Sequence, residues 1–257
     1  AGTRENRIKD FNNIWKDPEV KMVLLTHGGE TADHLLDGID YEAIEKNPKI
    51  FSGISDGSTL LNAVYAKTGL VTYHGPDLLW AFGQKMTEPY VENMRKTWLE
   101  GDVGQLQPDV AWERQNKPEI QYEGWKTVRS GKASGALVGG HLGCLLTTVL
   151  GGYGPDFTDK ILFLEGTDNE AEIDRRLTSL KLHGVFKQIN GLILGWFDNW
   201  NPLQDKSMYR KVSDVVLEVT KDYDFPILEI GELGHNVENY ILPIGCKATI
   251  DADKKYF

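Results

Sequence analysis

Cysteine is scarce in this sequence: only Cys144 and Cys246 occur among its 257 residues. Two cysteines cannot build a disulfide framework, and their spacing fits no metal-ligand motif, so we expect buried thiols, no metal and no cofactor. Basic residues are also in deficit, since 28 Lys and Arg stand against 38 Asp and Glu, a formal net charge of −10. Phosphate backbones need clustered cations, so we expect no nucleic-acid partner.

A long uninterrupted apolar run is missing as well. The nearest candidate, residues 135–152 (GALVGGHLGCLLTTVLGG), contains six glycines and a histidine and is better explained as buried core. No secretory signal is visible, and we expect a cytoplasmic protein without a membrane partner. The sequence begins with Ala1 rather than Met, so it need not start at the native terminus.

What the sequence does contain is an alternation of helix and strand patterns. In the first half, helices are predicted at 3–16, 31–47 and 58–69, and strands at 20–29, 49–55 and 70–76. This order predicts a parallel sheet with crossover helices, in which reacting groups gather at the carboxyl ends of the strands. The second half has predicted strands at 160–166, 191–197 and 226–231, a helix at 169–186, and a final strand hairpin at 240–252. The pattern therefore indicates two α/β domains.

Between these halves the periodicity weakens and aromatic residues accumulate, among them Trp98, Trp112 and Trp125. Two interpretations remain open. The tryptophans pack between the domains, or they form an aromatic platform for the ring of a ligand.

One short motif suggests catalysis. Residues 53–57 read Gly-Ile-Ser-Asp-Gly, which fits the G-x-S-x-G of a nucleophile elbow, where a strained turn presents a serine between a strand and a helix. A serine hydroxyl needs a base and an acid to become a nucleophile. Among six histidines, His235 is favoured because it follows a buried strand and a glycine. Glu165 is the outlying acid, at the end of the apolar strand KILFLEG, although a salt bridge would also explain it.

Residues 23–76, from VLLTHGGETADHLL through NPKIFSGISDGSTLL to TYHGP, resemble the amino-domain signature of the LD-carboxypeptidase family of serine peptidases. Residues 134–166 (SGALVGGHLGCLLTTVLGGYGPDFTDKILFLEG), 173–197 and 234–251 are similar to later segments of that family, in order. The resemblance implies an amino-terminal flavodoxin-like parallel sheet lacking its first strand, and a second α/β domain of the swivelling type. The predicted division is 1–77 for the domain with the nucleophile, 78–110 for a linker or insertion, and 111–257 for the domain with the acid and the histidine.

The resemblance also implies the site. Ser55, Glu165 and His235 match the family's Ser-Glu-His triad, and backbone N–H groups of Asp56 and Gly29 match its oxyanion hole. Further residues are predicted to contact substrate: Gly28, His74, Trp98, Trp112 and Trp125. A homodimer is expected from the family.

Two branches of the family are candidates. One trims D-alanine from murein tetrapeptides, and the other, similar to a microcin C immunity protein, cleaves a peptidyl-nucleotide. The sequence is nearer to the immunity branch because of its long aromatic insertion. Two departures stand out: His141 replaces the asparagine of a Gly-Gly-Asn motif, and Gly166 follows Glu165 where a second acid is common.

Other classes of protein share some of these features. An α/β-hydrolase esterase has the same motif and the same order of serine, acid and histidine, but on one continuous sheet. A catalytically inactive peptide-binding module on this fold is the remaining alternative.

Overall fold

The computed structural model describes residues 2–83, 86–109, 124–198 and 210–257. Within these ranges, ten strands form two sheets: β1 (Met22–Leu24), β2 (Ile50–Gly53), β3 (Thr72–His74), β4 (Lys126–Arg129), β5 (Lys132–His141), β6 (Lys160–Gly166), β7 (Gly191–Phe197), β8 (Ile227–Gly234), β9 (Leu242–Ile244) and β10 (Lys247–Asp251). The same described residues form seven α-helices: α1 (Arg4–Lys16), α2 (Tyr41–Lys46), α3 (Gly57–Thr68), α4 (Glu88–Arg95), α5 (Leu142–Leu150), α6 (Glu170–Leu182) and α7 (Val212–Val219). Short 3-10 helices span Ala32–Gly38 and Val185–Lys187, and π-helical turns span Leu78–Phe82 and Lys96–Glu100.

The first sheet has the strand order β1-β2-β3-β9. Its first three strands are parallel, and β9 joins the outer edge of β3 in the antiparallel sense. The predicted parallel arrangement of the first half is therefore confirmed. The predicted hairpin at 240–252 is wrong, because β9 pairs with β3 while β10 pairs with β5 of the other sheet.

The second sheet has the order β10-β5-β6-β7-β8-β4, with four parallel central strands and antiparallel strands at both edges. Six of the seven residues of β6, and likewise of β7, are buried. Parallel strands covered by helices on both faces need continuous apolar runs, and these sequences supply them. The two sheets establish a mixed α/β fold in which parallel pairing dominates.

The predicted helix at 31–47 is interrupted. A 3-10 helix ends at Gly38, Ile39 is extended, and Asp40 then caps α2 by accepting the Ala43 N–H at 3.0 Å. A capping aspartate starts a new helix, since its side chain satisfies one of the N–H groups that the first helical turn leaves unpaired.

Helix α3 connects the two sheets. The Asn62 side chain donates to the Ser58 carbonyl at 2.8 Å and to the Gly139 carbonyl on β5 at 2.7 Å, and it accepts the Gly139 N–H at 3.3 Å. The helix that follows the serine motif is thereby fastened to the second sheet. Within the described ranges, no helix has the length and apolar character needed to cross a membrane.

Candidate active site

Ser55 lies in the tight turn between β2 and α3. Its φ of +60° places a non-glycine residue in the left-handed region, which is uncommon and typical of a nucleophile elbow. Gly28, in the turn after β1, lies directly against it: a Cβ on Gly28 would be 2.9 Å from the Ser55 Oγ. Only glycine allows the backbone to come this close to Ser55, and the predicted contact of Gly28 with substrate stays a prediction.

The Asp56 side chain connects the same two turns. Its Oδ2 accepts the N–H of Thr31 at 2.8 Å and the N–H of Ala32 at 2.9 Å. A Cβ on Gly29 would lie 3.1 Å from the same oxygen. The turn that carries Gly29 is therefore held against the residue that follows Ser55. The sequence predicts a role only for the backbone N–H of Asp56, since nothing in the local pattern shows that its carboxylate reaches a distant turn.

Glu165 and His235 form a pair at the ends of β6 and β8. The His235 Nδ1 lies 2.7 Å from the Glu165 Oε2. The Glu165 side chain is 0% exposed, whereas the His235 side chain is 22% exposed. With Nδ1 donating to the carboxylate, Nε2 is the atom on which His235 can accept a proton.

Electrostatics favour the ionised carboxylate. Burial opposes the charge on Glu165, but attraction to His235 and their hydrogen bond outweigh it and hold the pKa of Glu165 below its usual range. Burial likewise disfavours a charged His235, and again the carboxylate outweighs it, raising the pKa of His235 above its ordinary 6.5. The alternative interpretation of Glu165, a salt bridge to Lys or Arg, is not what the structure shows: in the described part of the chain its carboxylate pairs with His235, and the other basic side chain near it is His74, at 3.8 Å.

The helix that follows Ser55 is linked to the strand next to the Glu–His pair. Ser58, one turn along α3 from Ser55, accepts the backbone N–H of His141 at 3.1 Å, and the ring of His141 lies 5.5 Å from that of His235. Among the described residues, the Ser55 hydroxyl has no hydrogen bond to His235. Such bonds are often long until a substrate closes the site.

His74 is placed differently from its prediction as a substrate contact. It is 0% exposed, at the end of β3, with its Nε2 3.8 Å from the Glu165 Oε1. His74 has no exposed surface in this structure, so its burial lends no support to the predicted substrate contact, which stays a prediction. His141, the residue that replaces the family's asparagine, is 9% exposed and has its Nε2 3.5 Å from the Thr167 Oγ1.

The three tryptophans have separate outcomes. Trp125 is 1% exposed and donates its Nε1–H to the Glu232 Oε2 at 2.6 Å, which fits the packing interpretation and leaves no free face for a ligand. Trp98 is partly buried and stacks on Phe82 with ring centroids 6.4 Å apart, so its substrate role stays a prediction. Trp112 lies outside the described residues.

An aromatic residue that sequence reasoning did not assign to the site stands beside the Gly-Gly turn. Trp80 is 52% exposed and donates its Nε1–H to the Nδ1 of His27, the residue before Gly28, at 3.0 Å. Trp80 lies in the π-helical turn Leu78–Phe82 that follows β3. In the sequence it is one of several tryptophans of the aromatic segment, and nothing in the pattern distinguishes it from the others. In the structure its half-exposed indole lies beside the turn whose Gly28 contacts Ser55.

The two thiols are unpaired, and burial raises the pKa of Cys144 to about 12 and also raises that of Cys246. Across the ranges given above, no group of three or more His, Cys, Asp or Glu side chains is arranged to hold a metal ion.

A serine at a positive φ between a strand and a helix, together with a buried Glu–His pair in the other sheet, is typical of the class of serine hydrolases. Comparison with known proteins narrows this class. Residues 1–75 match the LD-carboxypeptidase N-terminal domain, and residues 134–250 match the LD-carboxypeptidase C-terminal domain. The chain belongs to the LD-carboxypeptidase family of serine carboxypeptidases.

Relatives from both branches of the family are similar to this chain. The microcin C7 self-immunity protein MccF of Escherichia coli is 29% identical over 280 residues, covering 99% of this chain and 78% of that protein. The "Probable murein peptide carboxypeptidase" of Bacillus subtilis is 32% identical over 260 residues, covering 99% of this chain and 76% of that protein. The solved structure of MccF in complex with aspartyl sulfamoyl adenosine matches with a TM-score of 0.88 at 30% identity, over 99% of this chain and 80% of that one.

Proposed function

We propose that this protein is a serine peptidase that hydrolyses an amide-type bond near the carboxyl end of a peptidyl-nucleotide. Its triad would consist of Ser55, Glu165 and His235. The observations that support the proposal are the buried Glu165–His235 pair, at 2.7 Å, and a serine held at a φ of +60° in the turn before α3. The family membership of the chain supports the same reaction type.

The reaction would proceed in two halves. His235 takes the Ser55 proton on Nε2 while the Ser55 Oγ bonds to the scissile carbonyl carbon. The tetrahedral intermediate collapses, its C–N bond breaks, and the leaving nitrogen receives the proton from His235. Water then gives a proton to His235 and its oxygen attacks the acyl-enzyme. Collapse of the second intermediate returns that proton to Ser55 and releases the acid. Glu165 stabilises the imidazolium in both halves.

The backbone N–H groups of Asp56 and Gly29 would stabilise the oxyanion. Asp56 is the N-cap residue of α3, so its N–H lies at a helix N-terminus, where the unpaired N–H groups and the helix dipole favour negative charge. Gly29 is held nearby through the Asp56 carboxylate and the turn it binds. Two donors fixed before the reaction cost no reorganisation when the charge develops.

The substrate class rests on the immunity relatives. MccF has been solved with aspartyl sulfamoyl adenosine and with glutamyl sulfamoyl guanosine, which share an acidic aminoacyl group on a sulfamoyl nucleoside. The half-exposed indole of Trp80 near Gly28 gives this chain an aromatic surface on which a base could stack. Release of D-alanine from a murein tetrapeptide is the second candidate, because relatives named as murein peptide and murein tetrapeptide carboxypeptidases match 99% of this chain, the same share as MccF.

The test is a paired hydrolysis assay. One arm uses a peptidyl-aspartyl sulfamoyl adenosine, and the other uses a murein tetrapeptide ending in D-alanine. Ser55→Ala should lose turnover by a factor on the order of 10⁶, as in other serine triads, whereas Ser134→Ala, on the exposed surface of β5, should leave it unchanged.

Cleavage of the nucleotide conjugate alone supports the proposed substrate class. Release of D-alanine alone would contradict that substrate class and favour the murein candidate. Activity of Ser55→Ala on either substrate would contradict the triad. A fluorophosphonate that fails to label Ser55 would favour the inactive binding module. A homodimer in the cytoplasm remains a proposal from the family, and light scattering of the purified protein tests its dimeric part.

A further inference from the structure

The second oxygen of Glu165 has no hydrogen bond in the described part of the chain. Oε2 binds His235, but Oε1 is buried and unpartnered, and so is the Nε2 of His74. These two atoms face each other at 3.8 Å, and both side chains are 0% exposed. A buried carboxylate oxygen without a donor is costly, so the nearest buried N–H is its natural partner.

Ser58 determines which nitrogen of His74 carries the proton. The Ser58 Oγ already accepts the His141 N–H at 3.1 Å, so its own proton is free to be donated. The His74 Nδ1 lies 3.4 Å from that hydroxyl. With Nδ1 as the acceptor, the neutral ring carries its proton on Nε2, the atom that faces Glu165.

The surroundings keep His74 neutral. It is faced by Ser58 from α3, by Glu165 and the Phe163 ring from β6, and by the more distant charges of His141 and His235. Burial lowers the pKa of His74 to about 4, because desolvation outweighs the attraction of Glu165. A neutral ring is a donor that does not neutralise the carboxylate, which leaves Glu165 free to pair with His235.

We propose that His74 is a positioning residue for the triad acid: its Nε2–H holds the Oε1 of Glu165 and thereby keeps Oε2 directed at His235. Nε2 and Oε1 are 3.8 Å apart in the structure, so they must approach by about 1 Å for the hydrogen bond to form. The polar chain then runs from Ser58 through His74 and Glu165 to His235. A carboxylate held at one oxygen can rotate about its terminal torsion, and one held at both cannot. The inference rests on the proposed triad for its catalytic consequence, but not for its structural one.

Two substitutions at position 74 separate positioning from packing. His74→Gln places an amide N–H close to the position of Nε2, whereas His74→Leu fills similar space without a donor. His74→Leu should lower kcat about 10- to 100-fold with KM changed less than about threefold, the usual effect of a lost hydrogen bond to a charged group. His74→Gln should recover most of that loss.

A second readout does not depend on hydrolysis. Proton NMR follows the titration of His235, whose pKa is raised by Glu165. In His74→Leu that pKa should fall toward 6.5 because the carboxylate is no longer directed at the ring, and in His74→Gln it should stay raised. Ser58→Ala, which removes the group that fixes the tautomer of His74, should shift it in the same direction by less.

The outcomes distinguish this inference from the proposed function. An unchanged or higher pKa of His235 in His74→Leu would overturn the positioning role, as would equal kinetic defects in the Leu and Gln variants. If His74→Leu does not fold, the Ser58→Ala and His74→Gln pair decides, because only the former should move the titration. Full activity of Ser55→Ala would instead overturn the triad while leaving the NMR result interpretable.

Discussion

The Asp56 carboxylate offers a direct test of how the oxyanion site is held. Its Oδ2 accepts two backbone N–H groups, from Thr31 at 2.8 Å and Ala32 at 2.9 Å. Asp56→Ala removes both bonds and releases the turn that carries Gly29. Hydrogen bonds to a charged group contribute about 1.5–3 kcal/mol each, enough together to fix a short turn.

The expected loss follows from what the turn does. If Gly29 moves away, one oxyanion donor is lost, which costs about 10²–10³ in kcat in serine peptidases. Because the donor acts only as charge develops, KM should change by less than about threefold. Asp56→Asn keeps an acceptor oxygen in the same place and should recover activity to within about tenfold of the unmodified protein. Asp33→Ala removes an equivalent charge from the exposed face of the same segment and serves as the control.

Steady-state kinetics on the active substrate and the affinity of a peptidyl aldehyde form the assay. The aldehyde adduct carries an oxyanion, so its affinity should fall in parallel with kcat. Equal losses of kcat in Asp56→Ala and Asp56→Asn would show that the negative charge of Asp56, and not its hydrogen-bond acceptor oxygen, supports catalysis. An unchanged kcat in Asp56→Ala would refute the reasoning altogether.

Three further predictions concern charge, reactivity and stability. The value of kcat/KM should fall as the pH drops through a midpoint above 6.5, because His235 must be neutral to accept a proton and Glu165 raises the pKa of His235. A midpoint of this acid-side decrease at or below 6.5 would contradict the prediction. Cys144, whose pKa burial raises to about 12, should react with a thiol reagent at pH 8 far more slowly in the native than in the unfolded protein, as followed by mass spectrometry of the labelled peptide. Asn62→Leu should lower the free energy of unfolding in urea by about 2–4 kcal/mol, since it leaves the buried C=O and N–H of Gly139 unpaired, and a loss below about 1 kcal/mol would argue against the α3–β5 connection.

Sequence patterns predicted some elements accurately and others poorly, for physical reasons. The bounds of β6 and β7 match their predicted runs because a parallel strand covered on both faces is a continuous apolar stretch ended by polar residues or glycine. The hairpin at 240–252 failed because pairing depends on partners far away in the chain, which no local pattern reveals. Asp40 broke a helix that periodicity alone would continue.

In the candidate site, too, local sequence patterns predicted some features and not others. Ser55 could be predicted because an elbow needs glycines at fixed local offsets, and Glu165 because a charge ends an apolar strand. The Asp56 bridge and the burial of His74 behind Glu165 could not be predicted, because both depend on which strand ends meet across the junction. Trp125 shows the limit for aromatic residues, since a core indole and a ligand platform look alike in sequence.

The antiparallel strand β9 has a consequence for how the molecule is made. Ser55 belongs to the first sheet, which lacks its fourth strand until residues 242–244 have been synthesised and have docked on β3. During translation, β3 is therefore an open edge while the second sheet assembles, and such edges invite pairing with other chains. Closing that distant contact is slow compared with local folding. The same short segment leads from His235 to β9, so the pairing of β9 with β3 also brings the proposed base, His235, to the sheet that carries Ser55. A nascent chain would thus be inactive until β9 has paired with β3.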